Sequence, residues 1–421
     1  MSGRNPCLQL VQDAALAGLA VLALSGCPRR AVREEPTVSV FVSGDISLKL
    51  LPMAAQAVKV RKETGPCVWV CAGNALADRW ATAFGDGEFQ VRALDAAGID
   101  AVVLGEEWLE LGTERCRELV ADAGFLFLGA NLVDSLGEPF GHPLLVRRFG
   151  MDELGLTAGW LDSASAFLHQ PGVEYTDADL SLRRTVLKLK RNAGVVGVVN
   201  RPGPGGSVGA DFVIGRTADS VLVVEPPQAA DRLKRLDLLL AGTRILDFAL
   251  VEEDLTQFEP DSFVAAAVGP LVAEADSVGA LTVVESNAAI GPDVLTRALA
   301  DGFVRGDIDA FAYDMPIASG TLEPGTITRG ELVRVLKNPG RLAVLELTGR
   351  DMKELFDRKT VTVEWRGALK LRRTKMNNTY RVATTSDFLD RHPEVTAKGF
   401  VFAEEQSWPR AAEFLARQGR R

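Results

Sequence analysis

Residues 325–356 read GTITRGELVRVLKNPGRLAVLELTGRDMKELF. Thr328 stands three residues before Glu331, the spacing at which each side chain can satisfy the other's backbone amide at a helix start. A helix is therefore predicted from about Arg329 onward, with Leu332, Val335 and Leu336 on one apolar face. Asn338-Pro339-Gly340 halts it, because proline cannot continue a helix and glycine favours the turn. Residues 341–347 alternate and read as a strand, and Thr348 caps a second helix at 349–356. The stretch thus predicts helix, strand, helix, one repeat of an α/β pattern.

The same grammar extends upstream. Strands are predicted at 38–42, 68–72, 101–104 and 125–130, alternating with helices at 48–63, 88–97 and 113–123. Repeated strand–helix order implies a sheet with helices on its faces, and ligands of such folds lie beyond the strand C-termini. The loops after Val42, Ala72 and Leu104 are therefore the ones to inspect. Next come a helix at 181–192, a strand at 195–199 and a Gly/Pro loop at 201–206. The glycines of 202–209 form no phosphate-loop motif and read as a flexible surface loop. Short strands follow at 211–215, 220–224 and 246–251. A connecting helix is placed at 261–275, and residues 276–421 form a second unit.

At 421 residues the chain has room for two domains, and 47% hydrophobic with 24% charged residues is ordinary globular composition. A net charge of −9 argues against general nucleic-acid binding. Beyond residue 27 no long uncharged apolar run predicts a membrane span. Ala14 to Leu24 is a short apolar run closing on Leu24-Ser25-Gly26-Cys27, which resembles a bacterial lipobox. That reading makes residues 1–27 a lipoprotein signal peptide, Cys27 the lipidated residue and 28–36 a tether. The expected location is the bacterial cell envelope, lipid-anchored, on a periplasmic or outer surface. An ordinary secretory signal or a buried helix is the competing reading, and Asp13 and the thin positive n-region count against the signal. Cys67 and Cys71 flank an apolar Val68-Trp69-Val70, too far apart along a strand to bond, and read as small core residues.

The order of elements in 325–356, with its G-x-I-T opening and L-T-G turn, resembles the C-terminal domain of the 5′-nucleotidase / UDP-sugar hydrolase family. The resemblance extends over roughly residues 37–400 and implies an α/β fold. A calcineurin-like metallophosphoesterase α/β sandwich (37–255) is expected first, then a connecting helix (256–275). A 5′-nucleotidase C-terminal α/β domain (276–421) follows. In that family two divalent metals, held by Asp, His and Asn side chains of the strand-end loops, polarise the phosphate and generate the attacking hydroxide.

The loops match the family in order and depart from it in chemistry. Asp45 is kept, but the His two residues on is Ser47 and the metal-bridging Asp is Asn74. The Asn-His pair is Glu106-Glu107, with Glu110 at the Asp that follows, and the distal His positions are Arg201, Arg216 and Ala218. There are three histidines in the chain, and a guanidinium repels a cation. In the second unit Glu285-Ser286-Asn287 keeps the family's opening. The substrate segment N-G-G-x-x-R corresponds to 314–319, with Ser319 in place of the arginine. One base-stacking aromatic is Asn338, and the other is replaced around Arg391-His392-Pro393-Glu394.

The expectation is a pseudoenzyme of this family: a surface lipoprotein with no metal cofactor, acting as a binding or scaffold protein for a small-molecule or protein ligand. The alternative is an active phosphoester hydrolase of nucleotide catabolism whose divalent metal ion sits in a carboxylate-rich site built from Asp45, Glu106 and Glu107. Glu106, Glu107 and Glu110 equally read as solvated acids opening a helix, favoured there by its dipole. Asn200, Arg201 and Arg216 read as an anion site, or the two arginines as partners of those glutamates.

Overall fold

A computed structural model describes residues 37–160, 171–217, 220–337, 341–357, 360–365 and 375–418. The expected signal, tether and lipidation site Cys27, together with Ala218 and Asn338, lie outside the described residues.

The first part contains the strands β1 (Val38–Ser43), β2 (Cys67–Cys71), β3 (Ala101–Val103), β4 (Leu126–Leu128), β5 (Leu132–Val133), β6 (Leu145–Phe149) and β7 (Asp152–Trp160). It continues with β8 (Glu174–Tyr175), β9 (Val195–Gly205), β10 (Phe212–Thr217), β11 (Leu222–Val224), β12 (Arg232–Ala241) and β13 (Arg244–Asp254). One sheet has the order β13-β12-β1-β2-β3-β4 and the other β11-β10-β9-β7-β6. β1 to β4 are mutually parallel, so their C-terminal loops gather at one end.

The two sheets pack face to face. Val38, Val40, Val42, Val68 and Val70 meet Leu154, Leu156, Val199 and Ile214 in one apolar layer. On the far side of the first sheet, Phe41, Trp69 and Phe127 meet Leu51, Leu94 and Trp108 from the helices. β1 is buried along its whole length, its two serines included, and the Ser39 hydroxyl is satisfied by donating to Asp237 Oδ1. Helix Ala178–Leu189 covers the second sheet through Leu182, Val186 and Leu189. The result is a sandwich of two sheets between outer helices.

Helix Ser262–Gly279, the expected connector, does more than connect. Val264, Val268, Leu271 and Ala275 are buried in the core of the first part. The segment expected as a Gly/Pro loop at 201–206 is a second correction. β9 continues through Gly205, with Pro204 and Gly205 paired to Arg216 and Thr217. Proline is tolerated there because that stretch lies beyond a register shift, where the ladder is already irregular. β6, β7 and β12 carry no clear sequence signature and were not anticipated.

In the second part come β14 (Thr282–Ser286), β15 (Ala310–Tyr313), β16 (Gly325–Thr328), β17 (Arg341–Thr348), β18 (Thr362–Trp365), β19 (Thr379–Thr384) and β20 (Val401–Gln406). A sheet of order β18-β15-β19-β17-β20 carries helices on both faces, with β14 and β16 as a separate ribbon. Leu295, Leu299, Phe303 and Phe414 fill one side, and Met352, Leu355, Phe388 and Leu389 the other. The capping box read from the sequence at Thr328 is present, and the cap read at Thr348 is also part of one. The Glu331 carboxylate accepts the Thr328 amide at 2.8 Å while the Thr328 hydroxyl accepts the Glu331 amide at 3.2 Å. Thr348 and Asp351 repeat the arrangement. Leu332, Val335 and Leu336 are buried as the helical period requires.

Candidate functional site

Because β1, β2 and β3 run parallel, the loops carrying Asp45, Asn74 and Glu106-Glu107 converge, and β9 brings Arg201 among them. The Arg201 guanidinium donates to both oxygens of the Glu107 carboxylate, at 3.0 and 2.9 Å, and its Nη1 also donates to the Gly73 carbonyl at 2.6 Å. Two parallel bonds of this length are the strong, fork-to-fork form of a guanidinium–carboxylate pair. Glu107 is 8% exposed and Arg201 19% at their side chains, so little water screens them. Burial opposes the charge on Arg201, but the adjoining Glu107 carboxylate outweighs it and holds the guanidinium above its usual range. Gly105 makes room for the pair. A Cβ there would stand 2.3 Å from Glu107 Oε2 and 2.7 Å from Arg201 Nη1.

Asp45 is exposed and Asn74 half-buried, and both are tied into the turn by backbone amides. Asp45 Oδ1 accepts the Asn74 amide at 2.8 Å, and Asn74 Oδ1 accepts the Leu76 amide at 2.7 Å. This tight turn needs Gly73, whose Cβ would lie 2.1 Å from the Gly44 carbonyl carbon. Ser47 leaves the site, donating to Asp78 Oδ1 at 3.3 Å beside the start of helix Leu51–Lys62.

Three expectations need correction. Glu107 and Glu110 are not solvated acids. Helix Glu106–Leu109 does begin there, but Glu107 is buried, and burial, reinforced by Glu106 and Asp387, pushes the Glu110 carboxyl up to about 8. Asp45, Glu106 and Glu107 do not gather around one point, because Glu107 faces Arg201. Among the described residues no three His, Cys, Asp or Glu side chains are grouped to hold a metal ion. Arg216 does not pair with the helix glutamates: it is largely exposed, with Glu225 Oε1 at 3.9 Å as its ionic neighbour.

The dimetal centre implied by the resemblance does not fit these residues. A cationic guanidinium lies where the loops converge, and the buried Glu107 carboxylate is engaged by it at both oxygens. Arg201 instead partitions the region. On one side is a cavity of about 250 Å³ lined by Asp45, Asn200 and Arg216. On the other is a cleft of about 270 Å³ lined by Asn74, Glu106, Glu110, Lys337 and Asp387, which draws walls from both halves of the chain. Several bonds hold this cleft. Ser386 Oγ donates to Glu110 Oε1 at 3.1 Å, Arg341 Nη2 to Asp86 Oδ2 at 2.9 Å, Arg79 Nη1 to the Lys337 carbonyl at 2.8 Å, and Trp408 Nε1 to the Ala83 carbonyl at 2.8 Å. Asp387, Lys337 and Gln406 were not anticipated as site residues, since no local pattern marks a wall supplied from across the chain.

The expected substrate segments of the second part are bridged to each other. Arg391 donates to Asp314 at 3.0 and 2.6 Å, and His392 Nε2 lies 3.0 Å from Asp314 Oδ2. Burial would raise the Asp314 carboxyl, but Arg391 and His392 hold it below the usual range. His392 stacks on Phe388, with ring centroids 4.3 Å apart. Ser319 lies away from that pair, its hydroxyl donating to the Val335 carbonyl at 3.3 Å. Cys71 is a buried thiol, as expected of a core residue, whereas Cys67 is half-buried.

No family model matches the sequence, and no curated protein matches it. Solved structures do match. The sulfate thiohydrolase SoxB of Thermus thermophilus, solved with glycerol, aligns over 89% of this chain and 81% of its own, with TM-score 0.56 and 18% identity. A 5′-nucleotidase precursor, also from Thermus thermophilus, aligns over 91% of this chain and 96% of its own, with TM-score 0.58 and 13% identity. A putative 5′-nucleotidase from Staphylococcus aureus, solved with alpha-ketoglutarate, gives 90% and 96% coverage, TM-score 0.64 and 12% identity. At such identities the likeness establishes the fold: calcineurin-like α/β, in the two-part arrangement of the 5′-nucleotidases.

Proposed function

We propose that this chain, with the fold of the 5′-nucleotidases, is a pseudoenzyme that binds or scaffolds rather than hydrolyses. The carrying observation is the buried, two-pronged Arg201–Glu107 pair at the convergence of the strand-end loops. Phosphoester hydrolysis requires a large barrier reduction, and Glu107 is a negative group turned toward an arginine, not toward a place a phosphate could occupy. The bridge from Asp314 to Arg391 and His392 supports the same reading, since it joins the two segments expected to grip phosphate and base. Residues 37–255 are the phosphoesterase-like unit in this reading, joined by 256–275 to the unit 276–421. The ligand is a small molecule or a protein, and the cleft between Glu110, Lys337 and Asp387 is where its polar groups would dock. Nucleic acid is not proposed as a partner.

Two measurements on one preparation test this. After exposure to Zn²⁺ or Mn²⁺ and desalting, elemental analysis should find well under one ion per chain. AMP, UDP-sugars and bis-p-nitrophenyl phosphate should be turned over no faster than in buffer. Two retained ions, or turnover that disappears in Glu107→Ala, would instead establish the carboxylate-rich metallohydrolase of nucleotide catabolism.

We further propose anchoring to a bacterial envelope membrane through lipid on Cys27. Among the described residues no helix is long and apolar enough to cross a membrane. Cys27→Ser should accumulate unprocessed precursor or release the protein from the membrane fraction. Unchanged mobility and fractionation would reject the anchor.

A further inference from the structure

β13 is the outer strand of its sheet, and among the described residues no strand pairs with its free edge. It is eleven residues long, whereas β4, β6 and β11 at the other sandwich edges have three, five and three. A long apolar edge is an open template for another strand, and proteins usually blunt it. Here the apolar side chains of the edge stay uncovered. Every second residue from Arg244 to Glu252 is exposed, with Leu246 at 61%, Phe248 at 46% and Leu250 at 47%. The Phe248 amide donates to the Asp247 carboxylate at 3.0 Å, so a side chain satisfies it in place of a strand.

The exposed row reads Arg244, Leu246, Phe248, Leu250, Glu252. Neither terminal charge forms an ion pair among the described residues. Reversed against itself, the row places arginine against glutamate at both ends, leucine against leucine inside them, and phenylalanine against phenylalanine at the centre. A two-fold axis requires this self-complementarity of a surface. The bulge opposite Leu239 and Leu240 twists the strand near Leu246, and the arginine side chain is long enough to span the added offset.

We propose that β13 pairs antiparallel with β13 of a second copy of this chain, about a two-fold axis near Phe248, joining two six-stranded sheets into one. The interface lies on the first sheet's free edge, built from residues that line neither the strand-end site nor the cleft. It therefore stands whether or not the hydrolytic reading of that site changes.

Sedimentation equilibrium of the full chain in a neutrally buoyant detergent tests the pairing. The wild type should self-associate reversibly. Arg244→Glu and Glu252→Arg should each weaken association roughly tenfold, because each places like charges opposite one another at two symmetric positions. The double exchange, Arg244→Glu with Glu252→Arg, restores both pairs and should return wild-type affinity. Phe248→Cys should give an oxidised, disulfide-linked dimer, since the two-fold sets this position opposite itself. A wild type that stays monomeric at all concentrations, or a double exchange no better than the single changes, would overturn the proposal. So would a monomer that floats with phosphatidylcholine vesicles and loses that property in Phe248→Asp, which would assign the row to a lipid surface.

Discussion

Arg201→Met should cost about 3 kcal/mol of unfolding free energy at neutral pH, measured by denaturant titration, because it strands the Glu107 carboxylate in a buried place without its cation. Besides Arg201, the groups acting on that carboxylate are its own backbone amide, which favours the charge, and Asp45, which opposes it. Stability lost this way should return as the pH is lowered. Burial pushes the Glu107 carboxyl up, and without the pull of Arg201 it rises further and takes a proton nearer neutrality. Arg201→Met combined with Glu107→Leu should recover to within about 1 kcal/mol of wild type, since a buried ion pair replaced by apolar side chains of similar bulk is often near-neutral. A loss below about 1 kcal/mol in the single variant would mean the pair is not buried in solution, and the proposed non-catalytic role would lose its main support. The pair would then be free to open toward the cavity at Asp45.

Glu110→Gln should make the folded state more stable at pH 8 than wild type, by roughly 2 kcal/mol, and leave little difference below pH 5. In the folded chain Glu110 keeps its proton up to about 8, against an ordinary value of 4.5. Between those values the folded state binds more protons than the unfolded one, so stability falls as pH rises and levels off above the folded value. Burial is the chief cause, with Glu106, Asp387 and Glu107 adding repulsion and Ser386 partly offsetting it. Glutamine keeps the size and the acceptor for Ser386 Oγ and removes the titration. Water in the cleft keeps the gain well below the full linkage. Parallel pH dependence in wild type and variant would place Glu110 in solvent and open the cleft wall between Glu110 and Ser386.

The sequence by itself determined what local chemistry can encode. Thr328 with Glu331, and Thr348 as a cap, announce two helix starts, and a capping box forms at each, because a cap involves residues three apart and needs nothing distant. The apolar runs at β1 and β2 announced buried strands, and the strand–helix alternation announced the layered fold. The replacement of Asp and His that the resemblance leads one to expect, by Asn74, Glu107, Arg201 and Arg216, was likewise legible as a change in chemistry. What those replacements do was not. Arg201 and Arg216 looked equivalent in the chain, yet one is locked to Glu107, 94 positions away, and the other lies exposed beside Glu225. Glu106 to Glu110 looked like a solvated helix start, until Ser386 and Asp387 from the far half closed over Glu110. The Gly/Pro stretch after Val199 looked like a loop, and pairing with β10 made it a strand. Each of these outcomes depends on which strand ends converge and what packs above them. Only the tertiary structure sets those distances, and burial then turns an ordinary surface charge into a buried ion pair or a neutral acid.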